Sequence, residues 1–132
     1  MKLHHIGYAV QNIDEAIKYF SLLGFKRCSE RVEDLLRNVR IQFLEIEGIK
    51  IELIEPMNDQ SPINNILSKS GPTPYHICME TEKFKDVFLR LKKEGFKPIT
   101  QVKNAPAITN RNVIFLFRKE IGVIELVDCE SE

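Results

Sequence analysis

Apolar positions in this chain follow two rhythms, and the pair of rhythms occurs twice. Ile13, Ala16, Ile17 and Phe20 recur at i, i+3, i+4 and i+7, and Phe84, Val87, Phe88 and Leu91 repeat that spacing. Each set predicts an amphipathic helix with one buried face. Asn12 with Glu15 three residues later fits a capping box, and Gly24 and Gly95 stand where a left-handed C-terminal turn is needed. A short apolar stretch precedes each helix, His5 to Val10 and His76 to Met79, and suits a strand. After each glycine the β-branched and aromatic content rises, at Val39 to Phe43, Ile49 to Leu53, Val113 to Phe117 and Val123 to Val127. Alternation in the first two predicts strands with one face buried. The order is strand, helix, then about three strands, given twice.

The two halves superimpose as sequence. A shift of 71 residues places Leu3-His4-His5-Ile6 on Pro74-Tyr75-His76-Ile77 and Gly24-Phe25-Lys26 on Gly95-Phe96-Lys97. Near the end of each half, Ile51-Glu52-Leu53-Ile54 matches Ile124-Glu125-Leu126-Val127 at a shift of 73, so the second half holds two extra residues. The chain reads as one α+β domain built from a duplicated module, residues 1–56 and 74–132, joined by a linker over 57–73. Within the linker, Ser61 as N-cap, Pro62 at the first helical position and Ile63, Ile66 and Leu67 before Gly71 predict one short helix.

Composition narrows the function classes. The 132 residues carry 19 basic and 19 acidic side chains, a balance without the basic footprint of a nucleic-acid partner. No apolar run approaches the roughly 20 residues that span a bilayer. Met1 to His5 leads directly into the first strand without a signal-peptide core, so a cytoplasmic protein is expected. Cys28, Cys78 and Cys129 form no C-x-x-C pair and read as reduced thiols, Cys78 in the core.

The repeat puts a His at the start of each half and a Glu near its end: His5 with Glu52, and His76 with Glu125. A single such His is usually a satisfied core residue, and a Glu on a strand can point outward. Equivalent pairs in both halves suggest more, because a carboxylate inside an Ile-Glu-Leu strand is costly to bury alone. If the halves pack with pseudo-twofold symmetry, two imidazoles and two carboxylates converge, with a formal charge that balances a divalent cation. Mixed N/O ligation suits Zn, Ni, Co, Mn or Fe(II) without selecting one. Glu55 lies on the opposite strand face from Glu52.

These residues carry a resemblance. His-Ile-Gly-x-Ala-Val-x-Asn-Ile-x-x-Ala from His5, Ile51-Glu52-Leu53-Ile54-Glu55-Pro56, Tyr75 to Glu80 and Gly122 to Val127 resemble the vicinal oxygen chelate superfamily. That group includes glyoxalase I, methylmalonyl-CoA epimerase, extradiol dioxygenases and bleomycin-resistance proteins. The resemblance spans essentially the whole chain. It implies a glyoxalase-like fold of two tandem βαβββ modules, forming a curved mixed sheet around a metal site. It also implies His5, Glu52, His76 and Glu125 as ligands of a divalent ion (Ni, Co or Zn), Glu125 or Glu52 as catalytic base, and a homodimer.

The branch expected is a glyoxalase I type lyase, which converts the hemithioacetal of a 2-oxoaldehyde such as methylglyoxal to a 2-hydroxyacyl thioester. Epimerases of the family usually carry Glu-Glu-Gln-Gly-Val before the second strand, with a catalytic base at its first Glu. Leu35-Leu36-Arg37-Asn38-Val39 stands there, with Glu33 and Asp34 out of register. Acyl-CoA epimerisation is the alternative, and a non-catalytic drug-binding module a further one. Asn110 and Arg111, in a Pro-containing loop, are the candidates to hold an anionic group of a small thiol-linked substrate, Arg through a bidentate fork.

Overall fold

A computed structural model describes residues 1–129. The chain forms two compact units, one of His5–Tyr75 and one running from His76 onward with Met1–His4 added.

The first unit begins within β1 (Lys2–Ala9), followed by α1 (Ile13–Leu22), β2 (Lys26–Arg27), β3 (Val32–Asp34), β4 (Val39–Ile46), β5 (Ile49–Pro56) and α2 (Ile63–Ser70). β1 and β5 are parallel, with Gly7 opposite Glu52, while β4 and β5 form an antiparallel hairpin with Phe43 opposite Glu52. β2 and β3 are short strips paired to either end of β4. The β4–β5 hairpin closes through Glu47 and Gly48, both at positive φ (52° and 78°), the two-residue turn whose twist matches its strands.

The sheet's two faces are used differently. Leu44, Ile51 and Leu53 meet Ile13 and Ile17 of α1, with Ala16, Phe20, Phe25, Ile6 and Tyr8 around them. The helical face expected from the 13, 16, 17, 20 spacing is therefore the packed one. Asn12 caps α1 as expected, its side chain accepting from Glu15 N at 2.9 Å. β4 and β5 depart from the expectation of one buried face: Ile41 to Leu44 and Ile51 to Glu55 are buried without alternation. The face away from α1 holds His5, Phe43 and Glu52, which are themselves buried, so neither face is left to solvent. α2 starts one residue later than expected, and the Ser61 side chain makes no cap hydrogen bond.

The second unit repeats the plan with β6 (Thr73–Thr81), α3 (Phe84–Lys93), β7 (Lys97–Pro98), β8 (Lys103–Ala105), β9 (Arg111–Arg118) and β10 (Gly122–Asp128). β10 is parallel to β6, with Glu125 opposite Cys78, and antiparallel to β9, with Glu125 opposite Phe115. Val87, Phe84, Phe88 and Leu91 of α3 pack with Ile114, Leu116 and Leu126. Cys78 is fully buried, as expected. No helix among the described residues is long and apolar enough to cross a membrane.

Candidate metal centre

Strand alternation decides what each unit presents on the face opposite its helix. In the first unit His5 and Gly7 share a face of β1, Gly7 is level with Glu52 on β5, and Glu52 is level with Phe43 on β4. Gly7 has no side chain to separate its neighbours, and His5 Nε2 lies 3.4 Å from Glu52 Oε1. In the second unit Cys78 takes the place of Gly7, and His76 Nε2 lies 3.2 Å from Glu125 Oε1. All four side chains are buried, His5 at 1% and the other three at 4% exposure. The expected His–Glu pairs are thus in contact within each half.

The donors suit a cation. Two imidazoles present Nε2 toward carboxylate oxygens in surroundings that exclude water, and burying two carboxylates is expensive without a positive charge beside them. Each buried His–Glu pair therefore offers the mixed N/O donors that suit a divalent metal.

The remaining carboxylates have other occupations. Glu55, on the helix-bearing face, accepts from Ile13 N at 2.7 Å and pairs with Arg40 at 3.3 Å. Asp34 is buried against Arg37 at 2.8 Å, and Glu33 is largely exposed beside Arg40. Arg111 is paired with Glu80 and also donates to the Asp128 carbonyl at 3.2 Å, and its NH2 lies 3.3 Å from His4 Nε2. The Arg111 guanidinium holds the Glu80 carboxyl below its usual range, against a smaller upward push from burial. Asn110 is exposed at a left-handed turn position (φ 58°), its N–H donating to the Ala105 carbonyl. The Cys28 thiol is raised by burial and then by Glu45, and that of Cys129 by burial and then by Glu80, which disfavours the reactive thiolate at both.

Residues 4–115 match the Glyoxalase/Bleomycin resistance protein/Dioxygenase superfamily. The chain belongs to that superfamily. The mitochondrial methylmalonyl-CoA epimerase of Dictyostelium discoideum is 31% identical, across 99% of this chain and 78% of that protein. The corresponding protein of Homo sapiens is 28% identical, across 98% of this chain and 73% of that one. The crystal structure of methylmalonyl-CoA epimerase from Mycobacterium tuberculosis superimposes with a TM-score of 0.85 at 24% identity, covering 98% of this chain and 88% of that one, and shows the same fold.

These relatives overturn the expectation of a glyoxalase I type lyase acting on methylglyoxal, because the similar proteins of named activity are epimerases. The reason for the error is chemical. Both reactions move a proton beside a carbonyl, so the same donors suit either, and the departure at Leu35 to Val39 does not separate them. Sequence reasoning also passed over Phe43 and Phe115, whose only signal is their register opposite the two glutamates.

Proposed function

We propose that this chain is a metal-dependent epimerase of an acyl-CoA carrying an acidic C2–H, methylmalonyl-CoA or a near homologue. The observation that carries the reading is relatedness to methylmalonyl-CoA epimerases over 98–99% of the chain. The buried His–Glu contact in each unit supports it. His5, Glu52, His76 and Glu125 would together hold the ion, which supplies Lewis-acid polarisation of the substrate's carbonyl when bound.

The rest falls to the chain. Glu125 takes the proton from C2, and the electron pair left behind delocalises into the thioester carbonyl. A proton returned to the opposite face, by Glu52 as the equivalent group of the other half, inverts the centre. No atom is gained or lost, so one site serves both directions. Asn110 and Arg111 are assigned to an anionic part of the substrate. Support comes from the exposure of Asn110.

The test is exchange of the C2 proton of methylmalonyl-CoA in D2O, together with loss of optical purity. Metal-loaded wild-type protein should catalyse both, and E125Q should lose both by at least about 100-fold, the scale of general-base catalysis. Protein shown to hold zinc or cobalt that exchanges no proton overturns the reading.

A further inference from the structure

Each buried imidazole meets one phenylalanine in the same way. The ring centroids of His5 and Phe43 are 5.2 Å apart with planes at 78°, and those of His76 and Phe115 are 5.2 Å apart at 88°. Both are edge-to-face contacts, the geometry favoured by the quadrupole of an aromatic face. Each phenylalanine is also the cross-strand partner of the glutamate its histidine touches, Phe43 of Glu52 and Phe115 of Glu125.

The recurrence is not a trivial product of the repeat. The two histidines are 71 residues apart, the phenylalanines 72 and the glutamates 73. One extra residue has entered before Phe115 and another between Phe115 and Glu125, where residues 119–121 link β9 to β10 in place of the two-residue turn of the first hairpin. Insertions on both sides have left the same three-residue arrangement standing in each half. Hydrophobic burial alone would be served by an aliphatic side chain. A flat ring at this angle also blocks rotation of the imidazole about its Cβ–Cγ bond, which would swing Nε2 away from the carboxylate.

We propose that Phe43 and Phe115 are positioning residues that hold His5 and His76 with Nε2 directed at the ion. The inference rests on the metal reading above. Groups that orient metal-ligating histidines typically change affinity by about 10- to 100-fold when removed.

The test is zinc affinity of the full chain, measured by competition with a chromophoric chelator, with the visible spectrum of the cobalt-loaded protein as a second readout. F43L and F115L should each weaken zinc binding by about 10- to 100-fold and alter the cobalt spectrum. F115Y, which keeps the ring at a half-buried position, should stay within about threefold of wild type and so restore what F115L loses. F96L, which trims the packing under α3, serves as the control for general loosening. It should lower the melting temperature of the metal-free protein while leaving zinc affinity within about twofold. If F43L does not fold, F115L and F115Y decide alone. Unchanged affinity in F115L, with a melting temperature lowered as in F96L, overturns the proposal and leaves the phenylalanines as packing. Wild-type protein that binds neither ion overturns the metal reading itself, and is told apart because no variant is needed to see it.

Discussion

The carboxylate of Glu55 receives the backbone N–H of Ile13 at 2.7 Å, joining the C-terminal end of strand β5 to the first residue of helix α1 across 42 positions of sequence. An unpaired amide at a helix start is among the groups a fold must satisfy, and an anion there also meets the positive end of the helix dipole. Glu55 and Asn12 between them occupy two of those amides. Three residues from Glu52, Glu55 therefore serves the opposite face of the same strand.

Removing that carboxylate should cost stability and little else. E55A is expected to lower the unfolding free energy by about 1–3 kcal/mol, since it strips a buried amide of its acceptor. N12A should cost about 1 kcal/mol. Urea titrations followed by far-UV circular dichroism measure both.

His76→Ala should abolish zinc binding while the metal-free chain stays folded. Wild-type protein gains about 2.7 kcal/mol when zinc is a hundredfold above its dissociation constant, seen as a raised melting temperature. H76A should show no such gain. A variant that still gains it would place the ion elsewhere.

Acid sensitivity should reside partly at Glu80. Its folded pKa is depressed, first by the hydrogen bond from Arg111, so its contribution is present above the unfolded carboxylate value and is lost as pH falls through the folded one. The stability difference between wild type and E80Q should be greatest near neutrality and shrink below about pH 4.5. A difference independent of pH between 7 and 3 would contradict this.

Gly48→Ala tests the first hairpin. An added Cβ meets nothing within 4 Å, but Gly48 sits at φ 78°. The expected loss of about 1–2 kcal/mol is backbone strain alone. Denaturant midpoints of G48A and wild type, compared at equal m-value, check it.

What could be read in advance divides along physical lines. The helix faces were legible because Ile13, Ile17 and Val87 recur at helical spacing and bury as that spacing predicts. The His–Glu contact of each half was legible because duplication makes a coincidence in one half visible in the other. Burial on both faces of β4 and β5 was not, since Gln42 and Glu52 supply polar residues of an alternating pattern and yet are covered. The Ser61 cap failed because a serine before proline has the right chemistry whether or not its hydroxyl reaches an amide. The substrate was beyond reach for a different reason. Proton transfer beside a carbonyl leaves the same residues behind whatever the rest of the molecule is.

The two helices that look alike in sequence begin unlike each other. α1 starts under Asn12 and Glu55, while Lys83, at the corresponding end of α3, offers no side-chain cap, and Thr81 reaches only the Lys83 amide. Backbone protons in the first turn of α3 should therefore trade with solvent sooner than those of α1. The second copy of the module would be the one that breathes, although both were cut from one pattern.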